Sequence, residues 1–154
     1  MKKISLNILL LAMVSSCSMG QFTNIQSTHS KYSLDIIYDQ TVPTLIKQSL
    51  DMTLKEDKNN DEEAILSLKN FQMKRTNIYA GNYLRSLETE ITSSIEVLII
   101  LDDKEINKTL MNTKRFNSME LNALAEMEMN VFVKQEIFNA IVQDILFEVN
   151  LLDL

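Results

Sequence analysis

The chain has one cysteine and one histidine, Cys17 and His29, and both lie near its amino terminus. A Cys–His or Ser–His nucleophile pair inside a fold, or a cluster of soft metal ligands, needs such side chains further along the chain. The acidic segment 57–63, "DKNNDEE", lacks the central glycine and the twelfth-position acid of a calcium loop. We therefore predict no catalytic residue and no metal site.

Three glutamates, Glu88, Glu90 and Glu96, share one face of a predicted strand. They could form a carboxylate site, but acidic side chains along a solvated strand face are the commoner arrangement. We therefore predict that the protein is not an enzyme.

Cys17 ends an apolar segment that follows two lysines. Residues 2–3 are Lys-Lys, residues 4–14 are mostly apolar, and Ser15-Ser16 are small, which is typical of an export signal. Eleven helical residues span about 16 Å, too little for the roughly 30 Å of bilayer hydrocarbon. The sequence Val14-Ser15-Ser16-Cys17 resembles a bacterial lipobox. The alternative is a plain secretory signal with Ser-Ser-Cys as its cleavage region.

The lipobox resemblance implies cleavage before Cys17, diacylation of its thiol, and a third acyl chain on the new amino terminus. Two or more acyl chains hold a protein firmly on a membrane, whereas one holds it only marginally. Ser18 follows, where an aspartate is typical of inner-membrane retention, so we expect outer-membrane sorting. We predict a signal peptide at 1–16, a lipid-anchored flexible tether at 17–31 and a single α+β domain at 32–154.

The basic side chains stand out against a net charge of −6. Lys74-Arg75 and Lys114-Arg115 lie toward the ends of two predicted strands, where they could gather at one edge of a sheet. Lysine and arginine in such a place pair with phosphates or carboxylates, although ordinary surface charge is the alternative. The acidic overall field argues against a nucleic-acid partner.

Hydrophobic periodicity predicts the element order β-α-β-β-β-α. This order is typical of a two-layer α+β sandwich, with a four-stranded, mostly antiparallel sheet and two helices on one face. The alternation slips near Lys69-Asn70, which predicts a β-bulge, and Gly81-Asn82 predicts a hairpin turn. The predicted elements are strands at 32–39, from Ala64 onward, at 87–101 and at 106–116, and helices at 41–57 and 121–152.

The last helix carries apolar residues at three- and four-residue spacing, which predicts its core face. Asn117 or Ser118 is the predicted N-cap, and Glu120 or Glu126 the acid near the positive helix end. Met127 and Met129 fit either the core or a partner surface. The predicted core residues are Leu124, Val131, Phe138, Ile141, Val142, Ile145, Val149 and Leu152.

Taken in order, these segments resemble the LptE family of lipopolysaccharide-assembly lipoproteins. The resemblance covers about residues 13–150 and rests on the lipobox, "TVPTLIKQSLDMTL", "LSLKNFQMKR", "LETEITSSIEVLI" and "KRFNSMELNALAEMEMNVFVKQEIFNAIVQDIL". It implies an outer-membrane lipoprotein on the periplasmic side, with no cofactor besides the lipid on Cys17. Its implied role is to plug and help assemble the LptD β-barrel, which inserts lipopolysaccharide into the outer leaflet.

By position in the family pattern, the resemblance implies lipopolysaccharide contacts first at Lys114 and Arg115, then at Lys74 and Arg75. Glu126 departs from the family, because some members carry a basic residue there. Two other classes remain open. One is the auxiliary lipoprotein of an ABC-type lipid transport system, and the other is a lipid-anchored enzyme, which would need a His or Cys cluster in the fold.

Overall fold

The computed structural model describes residues 33–54, 63–79, 87–101, 104–118 and 122–151. It confirms the predicted order and the α+β class. Cys17, the predicted segments 1–16 and 17–31, and the predicted Gly81-Asn82 turn lie outside these ranges. The elements are β1 (Ser33–Tyr38), α1 (Thr44–Leu54), β2 (Glu63–Ile78), β3 (Glu88–Leu101), β4 (Lys104–Asn117) and α2 (Ala123–Asn150).

The four strands form one sheet in the order β1-β2-β3-β4. β2, β3 and β4 form an antiparallel meander, whereas β1 pairs parallel to β2, from Ser33↔Glu63 to Tyr38↔Leu68. β1 has 6 residues and β2 has 16. Much of the edge of β2 therefore extends beyond its short neighbour.

One face of the sheet, called here the inner face, packs against both helices. The strict alternation of β3 places its odd-numbered residues on this face and leaves the glutamates on the outer face. Each buried aliphatic side chain contributes about 1.5–3 kcal/mol relative to exposure. The core includes Ile46, Leu50 and Leu54 of α1, Leu66 and Leu68 of β2, Ile91, Ile95 and Ile99 of β3, and Val133, Ile137, Ile141 and Ile145 of α2.

The core face of α2 differs from the predicted one at its start. Leu124 and Val131 were predicted to be core residues, yet they are 62% and 52% exposed. Val133 is buried instead. At about 100° per helical residue, Leu124 and Val131 lie roughly opposite Val133, so the two sets cannot share one face.

The predicted β-bulge is confirmed, and the end of β1 caps it. The pairing of β2 with β3 shifts between Lys69 and Gln72, and Asn70 has a φ of 52°. The carboxylate of Asp39 accepts the Asn70 N–H at 3.0 Å, and the Thr41 hydroxyl accepts the Phe71 N–H at 2.8 Å. The hydrogen bond from the Thr41 hydroxyl, together with that from the Asn70 N–H, lowers the pKa of Asp39. These contacts satisfy bulge donors that strand pairing leaves open.

Tyr38 joins β1 to α1. Its hydroxyl donates to the Asp51 carboxylate at 2.8 Å, and burial followed by this bond raises the tyrosine pKa. Lys47 donates to the Asp39 carbonyl at 3.0 Å, and its Nζ lies 5.6 Å from the centre of the Tyr38 ring. These contacts hold α1 over the end of β1.

The N-cap of α2 is Asn122, whose side chain accepts the Ala125 N–H at 3.1 Å. The predicted caps were wrong. Asn117 is the last residue of β4, and the Ser118 N–H donates to the Leu87 carbonyl at 2.9 Å, so both still belong to the sheet. Glu126 does lie in the first turn of α2, whereas Glu120 is outside the described ranges.

Candidate functional site

The four basic residues singled out in the sequence lie at the same end of the sheet. Arg75 lies opposite Ile91 of β3, and Ile91 lies opposite Lys114 of β4. Lys74 precedes Arg75 by one residue and so lies nearer the bulge. Arg115 follows Lys114 by one residue and so lies nearer the end of the sheet. Because successive strand residues point to opposite faces, Arg75 and Lys114 face inward while Lys74 and Arg115 face outward. The fold therefore brings the four together at one end but divides them between two faces.

Both inward-facing cations are paired with acids of α2. The guanidinium of Arg75 forms an ion pair with Glu126, and the ammonium of Lys114 lies 3.2 Å from a Glu136 carboxylate oxygen. Both side chains of the second pair are 44% exposed, so this pair contributes little to stability. An anionic ligand at either cation would have to compete with a carboxylate already in place.

Two further polar contacts continue the line between β4 and α2. Lys108 pairs with Glu148, and the Asn112 amide donates to Asp144 at 2.6 Å. From 108 to 114 the strand advances about 20 Å, and from 148 to 136 the helix covers about 18 Å in the opposite direction. Because these two lengths are similar, the contacts between β4 and α2 can continue along both elements. This line of contacts, from Lys108–Glu148 to Lys114–Glu136, is called here the β4–α2 seam.

On the outer face, Arg115 donates to Glu90 at 2.6 Å, and Asn70 donates to Glu96 at 2.8 Å. Glu90 and Glu96, two of the three glutamates that could form a carboxylate site, thus accept hydrogen bonds from neighbouring side chains. Lys74 differs from the other three cations, since its side chain has no ion pair or hydrogen bond within the described part of the chain. It is the cation of this set most open to an external anion.

A cleft of about 390 Å³ opens where the end of β2 meets the first turns of α2. At this cleft the side-chain oxygen of Asn130 is buried and has no hydrogen-bond partner in the described structure. We call this the β2 cleft, and its lining residues are Arg75, Ala123, Glu126, Met127 and Asn130.

Sequence reasoning missed Asn130, although a signal was present. Asn130 lies three residues before Val133 and seven before Ile137, which places it in line with the buried stripe of α2. A polar residue at a core position needs a partner, and this is the cue that such a pattern offers.

Two kinds of feature are absent among the described residues. No group of three or more His, Cys, Asp or Glu side chains among them is arranged to hold a metal ion. None of the helices in these ranges combines the length and the apolar content needed to cross a membrane.

The fold is similar to that of two bacterial lipoproteins. Rare lipoprotein B from Shewanella oneidensis aligns with a TM-score of 0.56 at 21% sequence identity, covering 77% of this chain and 97% of that chain. A minor lipoprotein from Acinetobacter baumannii aligns with a TM-score of 0.60 at 12% identity, covering 78% and 90%. At these identities the likeness establishes the shared fold. No family model matches the chain, and no curated protein matches its sequence.

Proposed function

We propose that the protein is a non-catalytic outer-membrane lipoprotein of the LptE type, anchored through acyl chains on Cys17. In this role it plugs and helps assemble an LptD-like β-barrel, and the pair inserts lipopolysaccharide into the outer leaflet. It works from the periplasmic side and needs no cofactor besides its lipid.

The observation that carries the proposal is the likeness of the fold to that of rare lipoprotein B, over 77% of this chain and 97% of that chain. The lipobox-like sequence ending at Cys17 independently supports a lipid anchor. Neither described helix covers the outer sheet face, which leaves a broad, mostly polar surface for a partner. A barrel that encloses such a domain would contact this face along β3 and β4.

Lipopolysaccharide carries phosphates, which charge-assisted hydrogen bonds from lysine and arginine recognise. The contacts described above rank the four candidate cations. Lys74 is open, Arg115 is exposed with one acid beside it, and Arg75 and Lys114 face acids of α2. We therefore assign the first phosphate contact to the outer-face pair, Lys74 and Arg115, with Lys114 and Arg75 contributing after exchange of their carboxylate partners.

A mild-detergent pull-down of the chain from its own outer membrane tests the proposal. We expect a large β-barrel protein to co-purify, together with radiolabelled palmitate on the chain. The Cys17→Ala variant should lose the label and the membrane fraction. An inner-membrane permease complex in the eluate would instead support the ABC-type auxiliary lipoprotein, and unlabelled wild-type chain would refute the lipid anchor.

Direct titration with purified lipopolysaccharide tests the assigned contacts. The double variant Lys74→Glu/Arg115→Glu should bind more weakly and with a shallower salt dependence, because two charge contacts are reversed. Lys134→Glu, at an exposed position of α2, is a control of the same charge type. Equal binding by the double variant and wild type would remove the outer face from the site.

A further inference from the structure

One edge of β2 is only half covered. β1 pairs with residues 63–68. The side chains of Asp39 and Thr41 accept hydrogen bonds from the N–H groups of Asn70 and Phe71, respectively. From Gln72 to Ile78, β2 keeps β3 on one side, and no described residue pairs with its backbone on the other. We call this stretch the free β2 edge.

The hydrogen bonds at its two ends fix which backbone groups point outward. The Phe71 N–H points away from β3, toward Thr41, while the Ile78 carbonyl faces β3 because it accepts the Leu87 N–H. Backbone direction alternates along a strand. The N–H and C=O groups of Met73, Arg75 and Asn77 therefore point outward, which makes a template for another strand.

The β2 cleft lies beside this edge, and Arg75 belongs to both. An added strand would place every second side chain on the inner face, next to Arg75 and at the mouth of the cleft. There the unpartnered oxygen of Asn130 is buried. Buried acceptors without partners are rare in folded proteins, so a donor group on an incoming side chain fits this position.

Charge indicates the composition of the added strand. Residues 64–79 contain Lys69, Lys74 and Arg75 and no aspartate or glutamate. Lys74, on the outer face of the free β2 edge, has no partner in the described structure. No described strand pairs with the outer edge of β4 either. Its cations Lys108 and Lys114 are already paired with acids of α2, so they offer less than Lys74 to an acidic segment.

We propose that the free β2 edge binds an extended acidic segment of another protein as a fifth strand. The segment hydrogen-bonds to Met73, Arg75 and Asn77, places an acidic side chain near Lys74 on the outer face, and places an alternate side chain in the β2 cleft. This site does not rest on the proposed function, since neither the lipid anchor nor lipopolysaccharide takes part in it.

The test uses the full chain and a fluorescein-labelled peptide of about eight residues that alternates glutamate with threonine, whose hydroxyl can donate to the Asn130 oxygen. Fluorescence anisotropy should show saturable binding. Replacing the glutamates by lysine should weaken binding about tenfold or more, since one lost charge-assisted contact is worth about that factor. Two further peptides are methylated at one or the other alternate set of backbone amide nitrogens. One of them should lose about the same factor, because only every second amide of an added strand points toward β2. Binding by both N-methylated peptides equal to that of the parent peptide refutes strand addition.

Protein variants locate the site. Asn77→Pro removes an outward N–H without removing a β2–β3 ladder bond, whereas Thr109→Pro does the same on the edge of β4. We expect weaker binding only for Asn77→Pro. Lys74→Glu should likewise weaken binding, with Lys134→Glu as its matched control. Loss of binding in Thr109→Pro alone would place the site on β4 and overturn the proposal.

Two further measurements keep the proposal open to refutation even if a proline variant misfolds. The Asn130→Leu variant should have the melting temperature of wild type, because the oxygen that it loses accepts no hydrogen bond in the described structure. It should bind the peptide about tenfold more weakly. Hydrogen exchange in wild-type protein should slow at the amides of Met73, Arg75 and Asn77 when peptide is added. Unchanged exchange at these three amides would refute the added strand. Anionic phospholipid vesicles that displace the peptide equally well from wild type and from Asn77→Pro would show that charge alone is recognised, and would refute it too.

Discussion

The two halves of β2 lie in one strand but in different surroundings. Before the bulge, Leu66 and Leu68 are fully buried, with β1 on one side and β3 on the other. After the bulge, Lys74, Arg75 and Thr76 are exposed, and β3 is the one described neighbour strand. The bulge at Asn70 separates a half that holds the fold together from a half whose polar groups remain available to ligands.

This division explains why a basic site and a stable sheet can share one strand. Burying cations costs free energy unless they are paired, so they collect where the sheet is thinly covered. There, Glu126 and Glu136 of α2 pair with the cations that face inward. The Lys114–Glu136 pair is exposed on both sides and adds little stability.

The largest effect should follow truncation of the buried half. Leu66→Ala removes a side chain with no exposed surface and should lower the free energy of unfolding by about 2–5 kcal/mol. Thr76→Ala in the exposed half should stay within about 0.5 kcal/mol. Urea unfolding of both variants measures the difference, and equal losses would contradict the division.

The bulge that separates the halves should be next in importance. Asn70→Val places a β-branched residue at a φ of 52° and should cost about 1–2 kcal/mol, because left-handed backbone crowds the Cβ atom. Asn70→Gly avoids this crowding and should lose less. If valine and glycine proved equally stable in thermal unfolding, the left-handed conformation would not be a constraint.

A smaller effect, visible in its pH dependence, is expected at Asp39. Its pKa is lower in the folded protein than its usual value of 3.8, so its charge stabilises the fold above that value. This stabilisation is lost as the pH falls through the folded pKa. Asp39→Asn keeps an acceptor oxygen but should show a flatter stability profile across the acidic range. An unchanged profile in pH-dependent urea unfolding would show that the carboxylate does not control the bulge.

The smallest effect is expected in the exposed half, at the end of the β4–α2 seam. A double-mutant cycle on Lys114→Ala and Glu136→Ala should give a coupling of about 0.2–0.5 kcal/mol. The coupling should vanish at high salt, because both side chains are partly exposed. A coupling well above 1 kcal/mol would mean that this end of the sheet is held more firmly than its exposure indicates.

Local patterns were sufficient for some features of the fold. The slip in alternation at Lys69-Asn70 predicted the bulge, and the long alternation of β3 predicted a strand with one buried face. Even the division of the four cations between two faces follows from their order, because Lys74 and Arg75 are consecutive in a strand, as are Lys114 and Arg115.

Features that depend on distant contacts were not predictable in this way. The parallel pairing of β1 joins residues about 30 positions apart, and nothing in either strand specifies its direction. The carboxylate partners Glu126 and Glu136 became evident only once α2 lay over the sheet. Leu124 and Val131 were assigned to the core because their spacing is helical, yet spacing alone does not say which of two apolar faces meets the sheet.

The topology also bears on the order in which the chain can fold. β2, β3 and β4 follow one another closely, so their pairing closes short loops, and closing a short loop costs little entropy. β1 is made before any of them but has no partner until β2 follows some 30 residues later. We expect the meander to form first and β1 to dock last, locked in register when Asp39 reaches the bulge. β1, the first strand in the chain, would thus be the last of the four to join the sheet.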